Sequence, residues 1–216
     1  RSRSLHPLTS TVALIVAAGR GQRFGGSLPK QYMQLAAAPL LRHSLLAFAG
    51  HPAVTRVRAV IHPDDRDLYD RAAEGLDLAE PVAGGASRQE SVLNGLESLA
   101  GEPPARVLIH DGARPFVSAA VIDRVLAALD TTPGASAALP AIDTRKQGGG
   151  SRMAGTRERA ALWGAQTPQG FRYDDILAAH RAVIGEELTD DAAVAERAGL
   201  AVALVQGSRE NLKVTS

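Results

Sequence analysis

Five stretches of the chain, residues 11–18, 54–61, 106–110, 135–139 and 201–205, are apolar or nearly so at consecutive positions instead of at alternate ones. A strand that buries one face alternates apolar with polar residues, so continuous runs predict strands covered on both faces. Patterns of helical period fall between them, at about residues 40–48, 65–73, 87–99, 119–129, 173–183 and 190–198. Strands and helices in alternation predict an α/β sandwich on a mostly parallel sheet, a single domain of Rossmann-like type.

The chain has 216 residues, enough for one substantial core and short for two full domains. Its longest clean apolar run, residues 11–18, is far below the roughly 20 residues of a spanning helix, so no membrane partner is expected. Basic and acidic residues nearly cancel at 24 against 23, which argues against general nucleic-acid binding, and any anion is held locally. The absence of cysteine excludes disulfides, thiolate zinc sites and cysteine nucleophiles, and fits an expected cytoplasmic location. Residues 1–10 carry two arginines but no hydrophobic region of signal-peptide length, and are read as a flexible tail before a domain at 11–216.

In open parallel sheets ligands bind beyond the carboxyl ends of the strands, and the polar motifs fall there. The first run opens into Ala17-Ala18-Gly19-x-Gly21-x-Arg23, with Pro29-Lys30-Gln31 shortly after. Glycines let backbone N–H groups approach phosphate oxygens, and the cations neutralise charge that amides alone cannot. Phe24 stands where the dinucleotide fingerprint needs its third glycine, and no Gly-Lys-Ser/Thr follows, so the two common phosphate loops are excluded. A strand-to-helix corner that wants glycine for steric reasons is the plainer alternative. Asp111, after the third run, suits a divalent ion held between carboxylate and triphosphate; the alternative is a turn cap or a pair with Arg114.

A second glycine turn, Gly84-Gly85, leads into Ser87 and Glu90, the signature of a capping box. That accounts for neither Arg88 nor Ser91, and both are candidates to face a nucleotide at the helix start. Thr189-Asp190-Asp191 reads as an N-cap with acids in the first turn, and Asp64, Asp65, Asp67 and Asp70 as a capped, solvated helix start. The six histidines show no zinc spacing, and there is no Gly-x-Ser-x-Gly elbow. Trp163 is read as a core or interface aromatic. The polar stretch at about 143–159, centred on Gly148-Gly149-Gly150, reads as a hairpin or arm, or else a surface loop.

In this order the motifs resemble the 2-C-methyl-D-erythritol 4-phosphate cytidylyltransferase family over nearly the whole chain. They include Gly84-Gly85 with Arg88 and Ser91, His110-Asp111-x-Ala113-Arg114-Pro115, Asp143-Thr144, Thr167-Pro168-Gln169, Thr189-Asp190 and Asn211-Leu212-Lys213-Val214-Thr215. The resemblance implies attack by the phosphate of methylerythritol phosphate on the α-phosphate of CTP, with pyrophosphate leaving and no covalent enzyme intermediate. It implies that Arg23, Lys30 and Lys213 are the catalytic cations, Lys30 serving the α-phosphate. Ala17, Ala18, Gly19, Gly21, Gly84, Arg88, Ser91 and Asp111 would bind CTP. Asp111 would hold Mg2+ or another divalent cation, together with Glu210, which replaces the family's usual Asp.

The same resemblance makes residues 143–159 an arm crossing to a second subunit. Thr144 and Arg159 would then bind the sugar phosphate in the neighbour's site, with Thr167, Thr189 and Lys213 completing the pocket of a homodimer. The family continues past Ser216 with a turn and a final helix, so the sequence is read as a trimmed piece or as the first part of a fusion with the cyclodiphosphate synthase of the same pathway. Two rival readings stand beside this one. The first is a ribitol 5-phosphate cytidylyltransferase of the same architecture. The second is a non-catalytic nucleotide-binding dimer scaffold.

Overall fold

The computed structural model describes residues 10–20, 28–143, 145–149, 152–158 and 161–215; the expected tail lies outside these but for Ser10. The chain runs through β1 (Thr11–Ala17), β2 (Gln34–Leu35), β3 (Ala38–Pro39), α1 (Leu40–Ala49), β4 (Arg56–Ile61), α2 (Arg66–Ala73), β5 (Ala79–Ala83) and α3 (Arg88–Glu97). It continues with β6 (Arg106–Asp111), α4 (Ala119–Ala128), β7 (Gly134–Pro140), β8 (Arg145–Gly149), β9 (Arg152–Arg157), β10 (Trp163–Arg172), α5 (Tyr173–Ala182), α6 (Asp191–Arg197) and β11 (Val202–Gln206). Among the described residues no helix is long and apolar enough to cross a membrane.

Seven strands form one sheet in the order β11-β7-β10-β6-β1-β4-β5. β1 pairs in parallel with both β4 and β6, and only β10 runs antiparallel, between β6 and β7. The five apolar runs all lie in this sheet. On β1, Ala13, Ile15 and Ala17 pack into the layer with Leu45 and Phe48 of α1, while Val12 and Leu14 pack with Val92 and Leu96 of α3 on the opposite face. Both faces of the strand are covered, which is why its sequence does not alternate.

Two strands of this sheet lack an apolar run. β10 reads Trp-Gly-Ala-Gln-Thr-Pro-Gln-Gly-Phe-Arg, and its pairing with β7 is interrupted between Ala165 and Gln169, where Pro168 sits. A bulge is where a sheet tolerates a residue without an N–H. β5 carries Pro81 and lies at the sheet edge, the other position open to proline. Trp163, at the start of β10, is 41% exposed in this chain and is not a core residue.

The stretch at 143–159 is a hairpin in its described part. β8 and β9 pair antiparallel and form a sheet of their own. Lys146 Nζ donates to Thr156 Oγ1 across it at 2.7 Å.

The topology determines where a ligand can sit. From β1 the chain passes outward to β4 and β5, then returns across the sheet through α3 to β6 on the other side of β1. The loops leaving β1 and β6 therefore diverge and open a crevice between them, with Val16 opposite Asp111 in register.

Candidate active site

Eight of the expected residues meet in that crevice. A cavity of about 200 Å3 is lined by Ala17, Ala18 and Gly19 at the end of β1, by Lys30, by Arg88 and Ser91 on α3, by Asp111 ending β6, and by Lys213. Three cationic side chains thus face one carboxylate. Gly19 has no left-handed φ, and a Cβ built on it meets no described atom within 4 Å. Neither backbone conformation nor described packing demands glycine there, which weakens the steric explanation and favours close approach by a ligand. Gly84 is a different case: a Cβ there would collide with Ala18 Cβ and Ser91 Oγ, so glycine lets β5 close against the cleft wall.

Asp111 is the electrostatic centre. Its Oδ1 accepts from Arg88 Nε at 3.1 Å and its Oδ2 lies 2.9 Å from Lys213 Nζ, whereas Arg114 Nε stays 3.8 Å away. Arg114 instead donates to the Asn211 carbonyl at 2.8 Å, tying the Lys213 segment to the end of β6. Burial by itself raises the pKa of Asp111, but Arg88 and then Lys213 outweigh it and hold the carboxyl well below the usual range. Arg88 is anchored from behind: its Nη2 donates to Asp191 Oδ2 at 2.9 Å, and Asp191 Oδ1 is 3.1 Å from His180 Nε2. Burial opposes the charge on Arg88, and Asp191 and Asp111 together more than restore it.

The expected cap forms at Asp190, whose Oδ1 accepts from the Ala193 amide at 2.9 Å, and Asp191 sits in the first turn as read. Asp191 is also a fully buried counter-ion, which the sequence did not indicate. Asp65 departs from expectation in the same way, with 1% exposure inside what reads as a solvated run. The Ser87 cap forms as expected, its Oγ accepting from the Glu90 amide at 3.0 Å. Glu90 returns to the Ala86 amide at 2.8 Å, one residue before the cap. Ser91 is committed locally, accepting from the Gly85 amide at 3.0 Å and donating to the Ser87 carbonyl at 2.8 Å.

Thr167 is buried, and its hydroxyl works inside the protein. It accepts from the Asp111 amide at 3.0 Å and donates to His110 Nδ1 at 2.9 Å, while His110 Nε2 donates to the Arg114 carbonyl at 3.0 Å. The carbonyl fixes a proton on Nε2, and with the ring neutral Nδ1 is left to accept from the Thr167 hydroxyl. Burial first, with the Arg114 charge also contributing, pushes His110 down to about 4 although its hydrogen bonds and Asp111 oppose the shift.

A histidine whose folded pKa is lowered takes up its proton more readily when unfolded, so its contribution to stability is complete above the unfolded value near 6.5. That contribution is lost as pH falls from there towards 4. The shift corresponds to about 3 kcal/mol of unfolding free energy across this window. Denaturant titrations from pH 7 to 4 should show that slope, and His110→Gln should flatten it.

Gly21, Arg23, Thr144 and Arg159 lie outside the described residues. Thr189 is exposed just before α6, and Glu210 is exposed on the segment leading to Lys213; neither lines the central cavity. Two further cavities adjoin it. One of about 310 Å3 shares Ala18, Gly19, Arg88 and Ser91 and extends to Gly85 and His62. The other, of about 510 Å3, shares Lys213 and extends to Arg114, Asp143, Gln166 and Arg209.

Two residues that hold this arrangement stand in the quoted motifs without having been given a role. Gln31 Nε2 donates to the carbonyls of Ala17 at 2.8 Å and Gly19 at 3.0 Å, fastening the Lys30 turn to the end of β1. Asn211 Nδ2 donates to the Thr167 carbonyl at 2.7 Å. Both stand within two residues of an expected cation, and that proximity was the available signal.

Cations gathered around one carboxylate at a switch-point crevice suit phosphoryl groups, and with this architecture they place the chain among the nucleotidyltransferases. The family model described as "IspD: 2-C-methyl-D-erythritol 4-phosphate cytidylyltransferase" matches residues 11–216, and the chain belongs to that family. A bifunctional enzyme IspD/IspF of Paramagnetospirillum magneticum is 61% identical over 97% of this chain and 54% of its own length. This chain therefore spans about half of that relative. A 2-C-methyl-D-erythritol 4-phosphate cytidylyltransferase of Cereibacter sphaeroides is 54% identical over 95% of this chain and 92% of its own. The crystal structure of the enzyme of that name from Thermus thermophilus matches with TM-score 0.81 at 33% identity, over 97% of this chain and 94% of that one.

Proposed function

We propose that this chain transfers CMP from CTP to 2-C-methyl-D-erythritol 4-phosphate, giving 4-diphosphocytidyl-2-C-methyl-D-erythritol and pyrophosphate. An oxygen of the acceptor phosphate bonds to the α-phosphorus, and the α–β bridging bond breaks with its electrons on the departing pyrophosphate. The observation that carries the reading is the convergence of Lys30, Arg88, Lys213 and Asp111 on one cleft beside the exposed backbone of Ala17, Ala18 and Gly19.

Two anions must be brought together against their mutual repulsion, so catalysis rests on alignment and on fixed positive charge. Lys30 and Lys213 supply that charge to the α-phosphate, with Arg23 on the triphosphate. The cavity at His62 and Gly85 takes the nucleoside, where Gly84 and Ser91 shape the wall. The cavity beside Lys213 and Arg209 takes the acceptor, with Thr144, Arg159 and Thr189 as further contacts. Thr167 serves the site by holding the Asp111 backbone.

Asp111 fits a divalent cation. Its two oxygens each receive one cationic donor, and a carboxylate has about four lone-pair sites, so acceptor capacity remains towards the cleft. Among the described residues no three histidine, aspartate or glutamate side chains gather around one point. A magnesium ion on Asp111 would draw its other ligands from phosphate oxygens and water, with Glu210, three residues before Lys213, proposed as the second carboxylate. Bound there, it would neutralise phosphate charge.

The β8–β9 hairpin is proposed to cross to a second copy and complete its site. Apolar side chains at the hairpin's base support this: Ile142, Leu162 and Trp163 are 54%, 37% and 41% exposed. Sedimentation should find a dimer under assay conditions, and a fully active monomer would contradict this assembly.

The test of the reaction is pyrophosphate release with Mg2+, pairing CTP, UTP, ATP and GTP with methylerythritol phosphate and with ribitol 5-phosphate. Turnover confined to CTP and methylerythritol phosphate is the expected result. Preference for ribitol phosphate would move the acceptor and keep the mechanism. Binding of CTP by a folded dimer without turnover would favour the scaffold reading.

A further inference from the structure

Arg20 follows Gly19 at the rim of the cleft, and its guanidinium reaches to the segment that follows β4. Nη1 donates to Asp65 Oδ1 at 3.0 Å, and Nη2 donates to Asp64 Oδ2 at 2.8 Å and to His62 Nδ1 at 2.6 Å. The two aspartates are not equivalent. The Asp64 side chain is 77% exposed, as in an ordinary surface pair, whereas that of Asp65 is 2% exposed. A buried carboxylate requires a counter-charge, and Arg20 supplies it from the nucleotide side.

Asp65 also looks towards the second wall of the cleft. Its Oδ2 and the buried Tyr32 hydroxyl both lack a hydrogen-bond partner among the described residues. Tyr32 belongs to the same short turn as Lys30. Burial first, and then the Asp65 charge, push its phenol well above the usual range. Gln31 from that turn holds the Gly19 carbonyl, so the Gly19–Arg20 backbone is fastened by Gln31 on one side and by Asp65, through Arg20, on the other.

We propose that Arg20 and Asp65 are a positioning pair: their buried-end ion pair fixes the Ala18–Gly19 backbone against the His62–Asp65 segment and so presets the cavity that receives the nucleoside. Arg20 and His62 line that cavity together with Ala18, Gly19 and Gly85. Neither member of the pair is assigned to the reacting atoms. The inference rests on the nucleotide-transfer reading and adds the residues that set its nucleotide affinity.

The experiment measures KM and kcat for CTP at saturating methylerythritol phosphate, and the Kd of CTP with Mg2+ by calorimetry, in the wild type, Arg20→Gln, Arg20→Lys, Asp65→Asn and the double variant Arg20→Gln/Asp65→Asn. Arg20→Gln and Asp65→Asn should each raise KM and Kd about tenfold or more while kcat stays within about threefold. The double variant should be no worse than the more affected single one, because both changes remove the same interaction. Arg20→Lys should recover part of the loss, keeping the charge without the planar fork.

Unchanged Kd in Arg20→Gln, or additive losses in the double variant, would overturn the pair while leaving the transfer reading standing. Wild-type protein that binds CTP without turning over would defeat the transfer reading alone, with the pair still judged on Kd. Wild-type protein that binds none of the four nucleoside triphosphates would overturn both. Should Asp65→Asn or Arg20→Gln fail to fold, the Kd of Arg20→Lys decides, and an unchanged Kd there would overturn the pair. That variant keeps a counter-charge for the buried Asp65 while losing the planar fork.

Discussion

Lys30→Ala lowers kcat/KM for pyrophosphate release by about 10²- to 10³-fold, the loss typical of one preorganised donor at a developing charge. The fold survives the change. Lys30 contributes charge to the cleft lining, whereas its neighbours carry the packing: Gln31 and Tyr32 are buried, and Gln31 ties the turn to the end of β1. Circular dichroism and the melting temperature should therefore match the wild type while turnover collapses. Loss confined to KM would show that Lys30 binds ground state and transition state alike, and unchanged turnover would refute its role.

Asp111→Asn is the second large effect, and it acts on both activity and stability. The substitution keeps the shape and removes the charge that Arg88 and Lys213 share, so kcat/KM should fall by about 10²-fold or more, with a higher magnesium requirement. Arg88 keeps Asp191, and Lys213 is partly exposed, so the stability loss should sit near the lower end of that for a broken buried pair, about 3 kcal/mol.

The pH dependence provides the check. A carboxylate held below its unfolded value stabilises above that value, near 3.9, and loses its contribution as pH falls below it. The wild type and Asp111→Asn should therefore converge in stability below about pH 4. The His110 window lies higher, between 6.5 and about 4, so the two effects separate on one titration. A constant difference between wild type and Asp111→Asn down to pH 2 would refute the charge argument.

Much of the site was legible because its segments are contiguous in sequence: a β-run opening into Ala17-Ala18-Gly19, a turn with Lys30, a capped helix with Arg88 and Ser91, and a run ending at Asp111. What was not legible is how the charges are shared. Asp191 read only as an acid in the first turn of a helix, and it is in addition the buried counter-ion of Arg88, 103 residues away. Asp65 sat in a run of four aspartates that all looked solvated; Arg20 reaches both Asp64 and Asp65, and only burial in the folded chain singles Asp65 out. Thr167 carried a motif, yet its hydroxyl faces His110 and the Asp111 amide.

The same division holds for the fold. Local periodicity is set by covering of strand faces and helix faces, and it extends over a few residues, so the sequence by itself determined the five apolar strands, the six helices and the α/β alternation. β10 has no such signature, because its place between β6 and β7 comes from neighbours already in position, and its proline is accommodated at an interruption in the pairing. The tertiary structure alone decided that the strands meet in the order β11-β7-β10-β6-β1-β4-β5. That order brings the ends of β1 and β6 together with Lys213. Distant charges acquire their partners only once the backbone has closed, and desolvation then makes each pairing obligatory.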